Sequence, residues 1–159
     1  MSDKIIPLDY SNNLMFELEK AFYDERGKGA RFRTTTVGRH YFNEKVLPLI
    51  KTDDIDEIIQ TISKILKDEG IVADVSYLKE DRLLRVQMQS CIHRPVEQRL
   101  ISYGIEPFTC IPANLIVLAI EEKLDIPVEL AEIKMSEGVC QLLLVLFEKR
   151  PFLDQERYE

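Results

Sequence analysis

Residues Ile111 to Phe147, with the sequence IPANLIVLAIEEKLDIPVELAEIKMSEGVCQLLLVLF, give the clearest indication of the fold class. The first part of this stretch is apolar around most of a helical circumference, which is typical of a helix buried on nearly all sides. Residues 128–135 and 139–147 then form strands on either side of a turn at 136–138, which predicts an antiparallel hairpin. A buried helix followed by a hairpin indicates a sheet that packs against this helix.

The residues before this stretch predict a second hairpin. Residues 71–78 and 83–89 alternate apolar and polar side chains around the charged turn at 79–81, so the hairpin should have one solvated face. Residues 55–66 carry apolar side chains at helical spacing after a pair of aspartates, which predicts a capped amphipathic helix. Two hairpins, each preceded by a helix, place the chain in the α+β class.

The N-terminal part of the chain predicts two further helices. The first should bury a stripe of apolar residues and end near Gly27. This stripe comprises Leu14, Met15, Leu18 and Phe22. The second should extend from Val37 to Leu49 with Gly38 inside it, where glycine costs about 1 kcal/mol relative to alanine. Close packing or a nearby ligand would explain that glycine.

The composition predicts one globular domain. The chain has 159 residues, of which 45% are hydrophobic and 31% are charged, so it can bury a core of its own. We expect a flexible arm at 1–11, the α+β domain at 12–149 and a polar tail at 150–159. The apolar run Leu142–Phe147 is too short to cross a bilayer, and the N-terminus does not resemble a signal peptide. We therefore expect a cytoplasmic protein without membrane insertion.

The net charge of −7 argues against a nucleic-acid partner, because an acidic surface repels phosphates. One basic cluster departs from this trend and comprises Arg26, Lys28, Arg31, Arg33 and Arg39. A solvated loop is the simpler interpretation of this cluster, and an anion site is the alternative. We expect no nucleic-acid partner.

Three widely spaced cysteines do not fit a secreted disulfide framework, because their number is odd. They are expected to be buried thiols, reactive thiols or metal ligands. Thiolate and imidazole groups suit zinc, with haem or an iron–sulfur cluster as alternatives. The candidate metal ligands are Cys91, His93, Cys110, Glu132 and Cys140. Because the chain has no C-x-x-C pair, the competing interpretation is that the cysteines are small buried hydrophobes.

The sequence favours binding over catalysis. The closely spaced Cys91 and His93 could form a nucleophile pair, but G-x-S-x-G, H-E-x-x-H and phosphate-loop patterns are absent. An apolar helix beside an antiparallel sheet can enclose a pocket for a small apolar molecule. The candidate pocket residues are Gly38, Tyr41, Phe42, Phe108, Leu115 and Leu118.

Residues 33–148 resemble a known family in the order of their elements: helix, hairpin, irregular Cys/Pro segment, buried helix and last hairpin. This order is similar to that of the four-vinyl-reductase-type small-molecule-binding domains, also called hydrocarbon-binding domains. Their relatives include haem nitric-oxide-binding domains and TRAPP vesicle-tethering subunits. In this resemblance Gly38 corresponds to the glycine of an early helix and Cys110 to the cysteine before the buried helix. The family's metal-binding hairpin pattern is occupied here by Glu132, Met135, Gly138 and Cys140.

The resemblance implies a non-catalytic sensor or carrier domain that is often dimeric, with an apolar pocket and a zinc site near Cys110. Met135 stands where metal-binding members have a cysteine, so Cys91 and His93 would supply replacement ligands. A second hypothesis is a scaffold of the tethering type, with a filled core and a functional surface on the first two helices. A third is an enzyme or haem protein that uses Cys91 or His93.

Overall fold

The computed structural model describes residues 5–148. They form an α+β domain in which helices precede and separate two antiparallel hairpins, as predicted. The helices are α1 (Leu8–Arg26), α2 (Arg39–Tyr41), α3 (Ile55–Asp68), α4 (Arg94–Ser102) and α5 (Ile111–Leu124). The strands are β1 (Asp74–Glu80), β2 (Leu83–Gln89), β3 (Val128–Ser136) and β4 (Val139–Leu146). The predicted tail at 150–159 lies outside the described residues.

The two hairpins join into one four-stranded antiparallel sheet with the strand order β1-β2-β4-β3. Strand β2 pairs with β4 so that Met88 lies opposite Cys140. The two outer strands are therefore β1 and β3, and β3 carries a bulge between Leu130 and Glu132. A bulge bends its strand and often occurs at a sheet edge.

Helix α5 is the buried centre of the domain, as predicted from its apolar circumference. Every residue from Pro112 to Ile120 is buried. The helix lies in one apolar core together with α3 and the inner face of the sheet. Helix α3 begins with the expected cap, because the Asp54 Oδ1 accepts a hydrogen bond from the Glu57 N–H at 3.0 Å. Within residues 5–148 no helix is long and apolar enough to span a bilayer.

Helix α1 differs from its prediction in extent and in orientation. It begins at Leu8, so residues 8–11 of the predicted arm are helical. Its buried residues are Asn12 and Phe16, whereas Leu14 and Leu18 of the predicted buried stripe face outward. The predicted orientation therefore holds only in part, since Met15 and Phe22 of the stripe are half-buried. The Asn12 amide holds the observed one, because its Nδ2 donates a 3.0 Å hydrogen bond to the carbonyl oxygen of Ile92.

Helix α1 packs on α4 through a small core of its own, separate from the main core. This second core comprises Phe16, Val96, Leu100 and Ile105. The Phe16 ring also lies 5.6 Å from the ring of Tyr103, centroid to centroid. The helix therefore rests on the rest of the domain through one narrow face.

The predicted helix over 37–49 is divided into short segments. Helix α2 has one turn, followed by a π-helical turn at Phe42–Val46 and a 3-10 turn at Leu47–Leu49. Gly38 precedes α2 instead of lying inside it, with a φ of 100°. A side chain there would bring its Cβ to 3.2 Å from the Cγ2 of Ile111. Both the backbone conformation and the close approach of α5 therefore require glycine.

We expect Gly38→Ala to lower the free energy of unfolding by about 1–2 kcal/mol, because alanine is strained at positive φ and would contact Ile111. Urea denaturation followed by circular dichroism measures the change. Gly29→Ala is the matched control, since a Cβ at Gly29 would meet nothing within 4 Å. Equal stability of the two variants would contradict the role of Gly38.

Candidate functional site

The three cysteines meet where the ends of several elements converge. Cys91 follows β2, Cys110 immediately precedes α5, and Cys140 is the second residue of β4. All three are buried free thiols in the main core. Their charges would influence one another, since Cys91 and Cys140 both contribute to the raised pKa of Cys110. The structure thus brings together the three cysteines that the sequence suggested as ligands.

The acidic neighbour of these thiols is Glu97, which the sequence interpretation missed. Glu97 lies on α4 and is only 4% exposed. The Cys140 thiol donates a hydrogen bond to the Glu97 Oε2 at 3.5 Å. The sequence did contain an indication that Glu97 is buried. Glu97 lies between Val96 and Leu100, and these apolar residues mark the inward side of α4. We call Glu97 and the three cysteines the buried polar cluster.

Burial raises the pKa of Glu97 to about 7, and the hydrogen bond from Cys140 opposes this shift. Burial and then the charge of Glu97 raise the pKa of Glu19, on α1, to about 7. Among the described residues, the Glu19 Oε2 has no hydrogen-bond partner. Two buried carboxyl groups with elevated pKa therefore lie on α1 and α4, and the charge of Glu97 favours the neutral form of Glu19.

Burial favours the uncharged forms of the three thiols and of the His93 imidazole. Burial raises the pKa of Cys91 to about 11 and that of Cys140 to about 12. Burial also lowers the pKa of His93, so its imidazole is neutral at pH 7. A reactive cysteine instead needs a lowered thiol pKa and a charged or basic partner. This arrangement gives no support to a Cys91–His93 nucleophile pair.

The predicted metal ligands do not form a metal site within residues 5–148, although the three cysteines are neighbours. In the described part of the chain, no three His, Cys, Asp or Glu side chains form a group that could hold a metal ion. Glu132 lies on the outer face of β3, where its carboxylate is 3.5 Å from the Lys134 Nζ. Cys140 faces the opposite, buried side of the sheet. The acidic neighbour of Cys140 is thus Glu97 and not Glu132, and the zinc prediction gains no support from this geometry.

Most candidate pocket residues contribute to the packed core. Phe42, Leu115 and Leu118 are buried there, and Tyr41 packs against them. A Cβ added to Gly38 would contact Ile111 and Leu115, so the space beside it is already filled. Phe108 has a different position, because it lines a groove at the surface.

This groove, which we call the β3 groove, has a volume of about 950 Å³ and follows one edge of the sheet. Residues 130–135 of β3 form one wall, and Tyr23 and residues 104–108 contribute to the other. Arg31 of the basic cluster reaches across, and its Nη2 donates 3.1 Å hydrogen bonds to the carbonyl oxygens of Leu130 and Ala131. One member of that cluster therefore binds the sheet.

The outward face of α1 is the third feature with functional potential. Tyr10, Leu14 and Leu18 are exposed by 58%, 44% and 72%, and they lie one turn apart along the helix. We call these three residues the outer stripe of α1. It lies on the side of the helix opposite Phe16, away from the core that anchors α1.

The buried polar cluster, the β3 groove and the outer stripe are thus the features from which function can be inferred. The predicted membership of the hydrocarbon-binding family stays a prediction. Neither protein-family models nor curated protein sequences match this chain.

Proposed function

We propose that this protein is a non-catalytic interaction module that forms a homodimer through the outer stripe of α1. The main observation in support is that the outer stripe, the most regular series of apolar residues on α1, is exposed to solvent. Side chains at i, i+4 and i+8 normally face a core or a partner. Here the core takes the opposite side of the helix, so the outer stripe is left for a partner.

The filled core favours this function over the binding of a small apolar molecule among the predicted pocket residues. Phe42, Leu115 and Leu118 contact other core side chains instead of lining a space for a ligand. The neutral thiols of the buried polar cluster also fit a structural role better than a catalytic one. A scaffold of the tethering type, with a packed interior and a functional surface, agrees with both observations.

A second copy of the chain fits the outer stripe because the stripe is a ridge of the i±4 type. Two such ridges interdigitate in the commonest class of helix packing. In an antiparallel, two-fold arrangement Leu14 of one copy would lie against Leu18 of the other, which is the self-complementary contact of a homodimer. Exposed Ile5 and Ile6 precede the helix and would extend the contact.

The size of the stripe sets the expected affinity. Three large apolar side chains expose on the order of 400 Å² per copy, which is the size of patch that marks interaction sites. Two copies would bury less than the roughly 1,600 Å² of a standard interface. We therefore expect a dimer with a dissociation constant in the micromolar range.

The double substitution Leu14→Glu/Leu18→Glu should convert the dimer to a monomer and weaken self-association at least about 100-fold, because it places four carboxylates in one apolar contact. Sedimentation velocity over a concentration series measures the change. The thermal unfolding transition should be retained, since both side chains already face solvent.

Leu78→Glu serves as the matched control. Leu78 is a similarly exposed leucine on β1, outside the outer stripe, and its replacement should leave the dimer unchanged. Loss of self-association in this control, or an unchanged association state in the double variant, would contradict the assignment of the interface to α1.

A further inference from the structure

Along the outer edge of β3, some backbone groups have no backbone partner within residues 5–148. Leu146 is the last residue of β4, and its N–H bonds to the carbonyl oxygen of Arg82 beside β2. The N–H of the next residue, Phe147, bonds to the carbonyl oxygen of Pro127 beside β3. The backbone N–H and C=O groups of the odd-numbered residues of β4 therefore point towards β3. The register pairs Gln141 with Lys134 and Leu143 with Glu132, so Lys134 and Glu132 bond inward to β4. The backbone groups of Ile133 and Met135 consequently face outward.

These outward groups lie in the β3 groove. Within residues 5–148, the amide and carbonyl groups of Ile133 and Met135 form no hydrogen bond with the backbone of another element. The neighbouring carbonyl groups of Leu130 and Ala131 already accept hydrogen bonds from Arg31, a residue outside the sheet. Near the bulge this edge thus accepts side-chain donors, and the Val128 N–H is bonded to the Glu121 Oε1 at 3.1 Å. Within residues 5–148 the edge is without backbone partners at Ile133 and Met135.

The opposite wall of the groove supplies an apolar surface. Tyr23, Ile105 and Phe108 line it, and the rings of Tyr23 and Phe108 are 5.8 Å apart. Ile133 and Met135 direct their side chains towards this same inner side of the sheet. A strand added along β3 would therefore place every second side chain against an apolar wall.

The outer face of β3 has the opposite character, because Glu132 and Lys134 are exposed there on either side of Ile133. Charged residues on an edge strand discourage indiscriminate pairing. They also select a partner whose charges match them residue by residue, because like charges directly opposite one another are unfavourable.

We infer that the open edge of β3 is a strand-addition site for an extended peptide that carries an acidic, an apolar and a basic residue in that order. In antiparallel pairing the acidic residue lies opposite Lys134, the apolar residue opposite Ile133 and the basic residue opposite Glu132. Main-chain hydrogen bonds supply the affinity, and the alternating side chains supply the specificity. This site is separate from the outer stripe of α1.

The test uses a capped, fluorescently labelled peptide with the sequence ELAEIKMS, which contains the required acid–apolar–base order. Fluorescence anisotropy should show saturable binding to the full chain carrying Leu14→Glu/Leu18→Glu, so that dimerisation through α1 does not contribute. Ile133→Pro should weaken binding at least 10-fold. Proline at this position removes an outward N–H and leaves the pairing of β3 with β4 intact, as is tolerated on edge strands.

A charge exchange provides a second test that does not depend on proline. The double variant Glu132→Lys/Lys134→Glu should bind ELAEIKMS at least 10-fold more weakly and should bind the exchanged peptide ELAKIEMS as tightly as the original pair. Absence of binding, binding unchanged in both variants, or self-association of the chain through this edge without peptide binding would overturn the inference.

Discussion

Glu97→Gln is expected to raise the free energy of unfolding by roughly 2–3 kcal/mol at pH 8 and to change it little at pH 4. Burial raises the pKa of Glu97 to about 7 from an ordinary value of 4.5. In the folded chain the carboxyl group therefore keeps its proton between these two pH values, whereas the unfolded chain loses it. The stability of the wild type should fall as pH rises through this window and level off above pH 7.

Glutamine is the suitable replacement because it has the shape of a protonated glutamate and its oxygen can still accept the Cys140 thiol hydrogen. The variant should also lower the pKa of Glu19, since the Glu97 charge is one of the two causes of the raised pKa of Glu19. Urea denaturation at pH 4, 6 and 8 measures the effect. Glu17→Gln, at an exposed position of α1, is the control and should shift stability by less than about 0.5 kcal/mol. Parallel pH profiles for Glu97→Gln and the wild type would contradict this account.

Asn114→Ala is expected to destabilise the protein by about 2–4 kcal/mol, the second large effect. Asn114 lies on α5 and is 2% exposed. Its Nδ2 donates 3.0 Å hydrogen bonds to the carbonyl oxygens of Thr34 and Val37, which fixes the loop before α2 to the central helix. Alanine would leave both carbonyl groups without this donor and open a small cavity.

Differential scanning calorimetry of Asn114→Ala beside Asn43→Ala separates this contribution from the general effect of removing an amide. Asn43 is exposed, so its replacement should change stability by less than about 0.5 kcal/mol. Melting temperatures that fall equally in the two variants would show that the Asn114 hydrogen bonds do not stabilise the fold.

The fold class was predictable because the stretch from Ile111 to Phe147 contains unambiguous periodicities. The apolar circumference of α5 could only belong to a buried helix, and the structure buries it. The alternation around the turns at 81 and 137 predicted both hairpins, and the sheet contains both. These periodicities extend over whole helices and strands, so a single residue that departs from the pattern does not change the predicted element.

The orientation of α1 was not predictable from periodicity, which shows which residues share a face but not which face is covered. The decisive contact is the hydrogen bond from Asn12 to Ile92, between residues 80 positions apart in the chain. The division of the predicted helix over 37–49 was likewise not predictable from local periodicity. Gly38 has a positive φ where α5 approaches closely, and this approach involves residues more than 70 positions away in the chain.

The candidate site was predictable in part. The cysteines do cluster, but hairpin geometry places Glu132 away from them. A two-residue turn sets Met135 opposite Cys140, and Glu132 is three positions from Met135 along β3. An odd separation puts two strand residues on opposite faces. The separation of Glu132 from Cys140 was therefore predictable from the sequence. The burial of Glu97 was not, because it depends on the packing of α1 against α4.

We expect two copies of the chain to associate through the outer stripe of α1. Sedimentation equilibrium of the wild-type chain, compared with Leu14→Glu/Leu18→Glu at 5, 50 and 200 µM, tests it most directly. The wild-type mass should approach twice the 18.5 kDa of one chain across this range, while the double variant should stay close to 18.5 kDa at 5 µM and below the wild-type mass at every concentration. A wild-type chain that stays at the mass of one chain at 200 µM would contradict it.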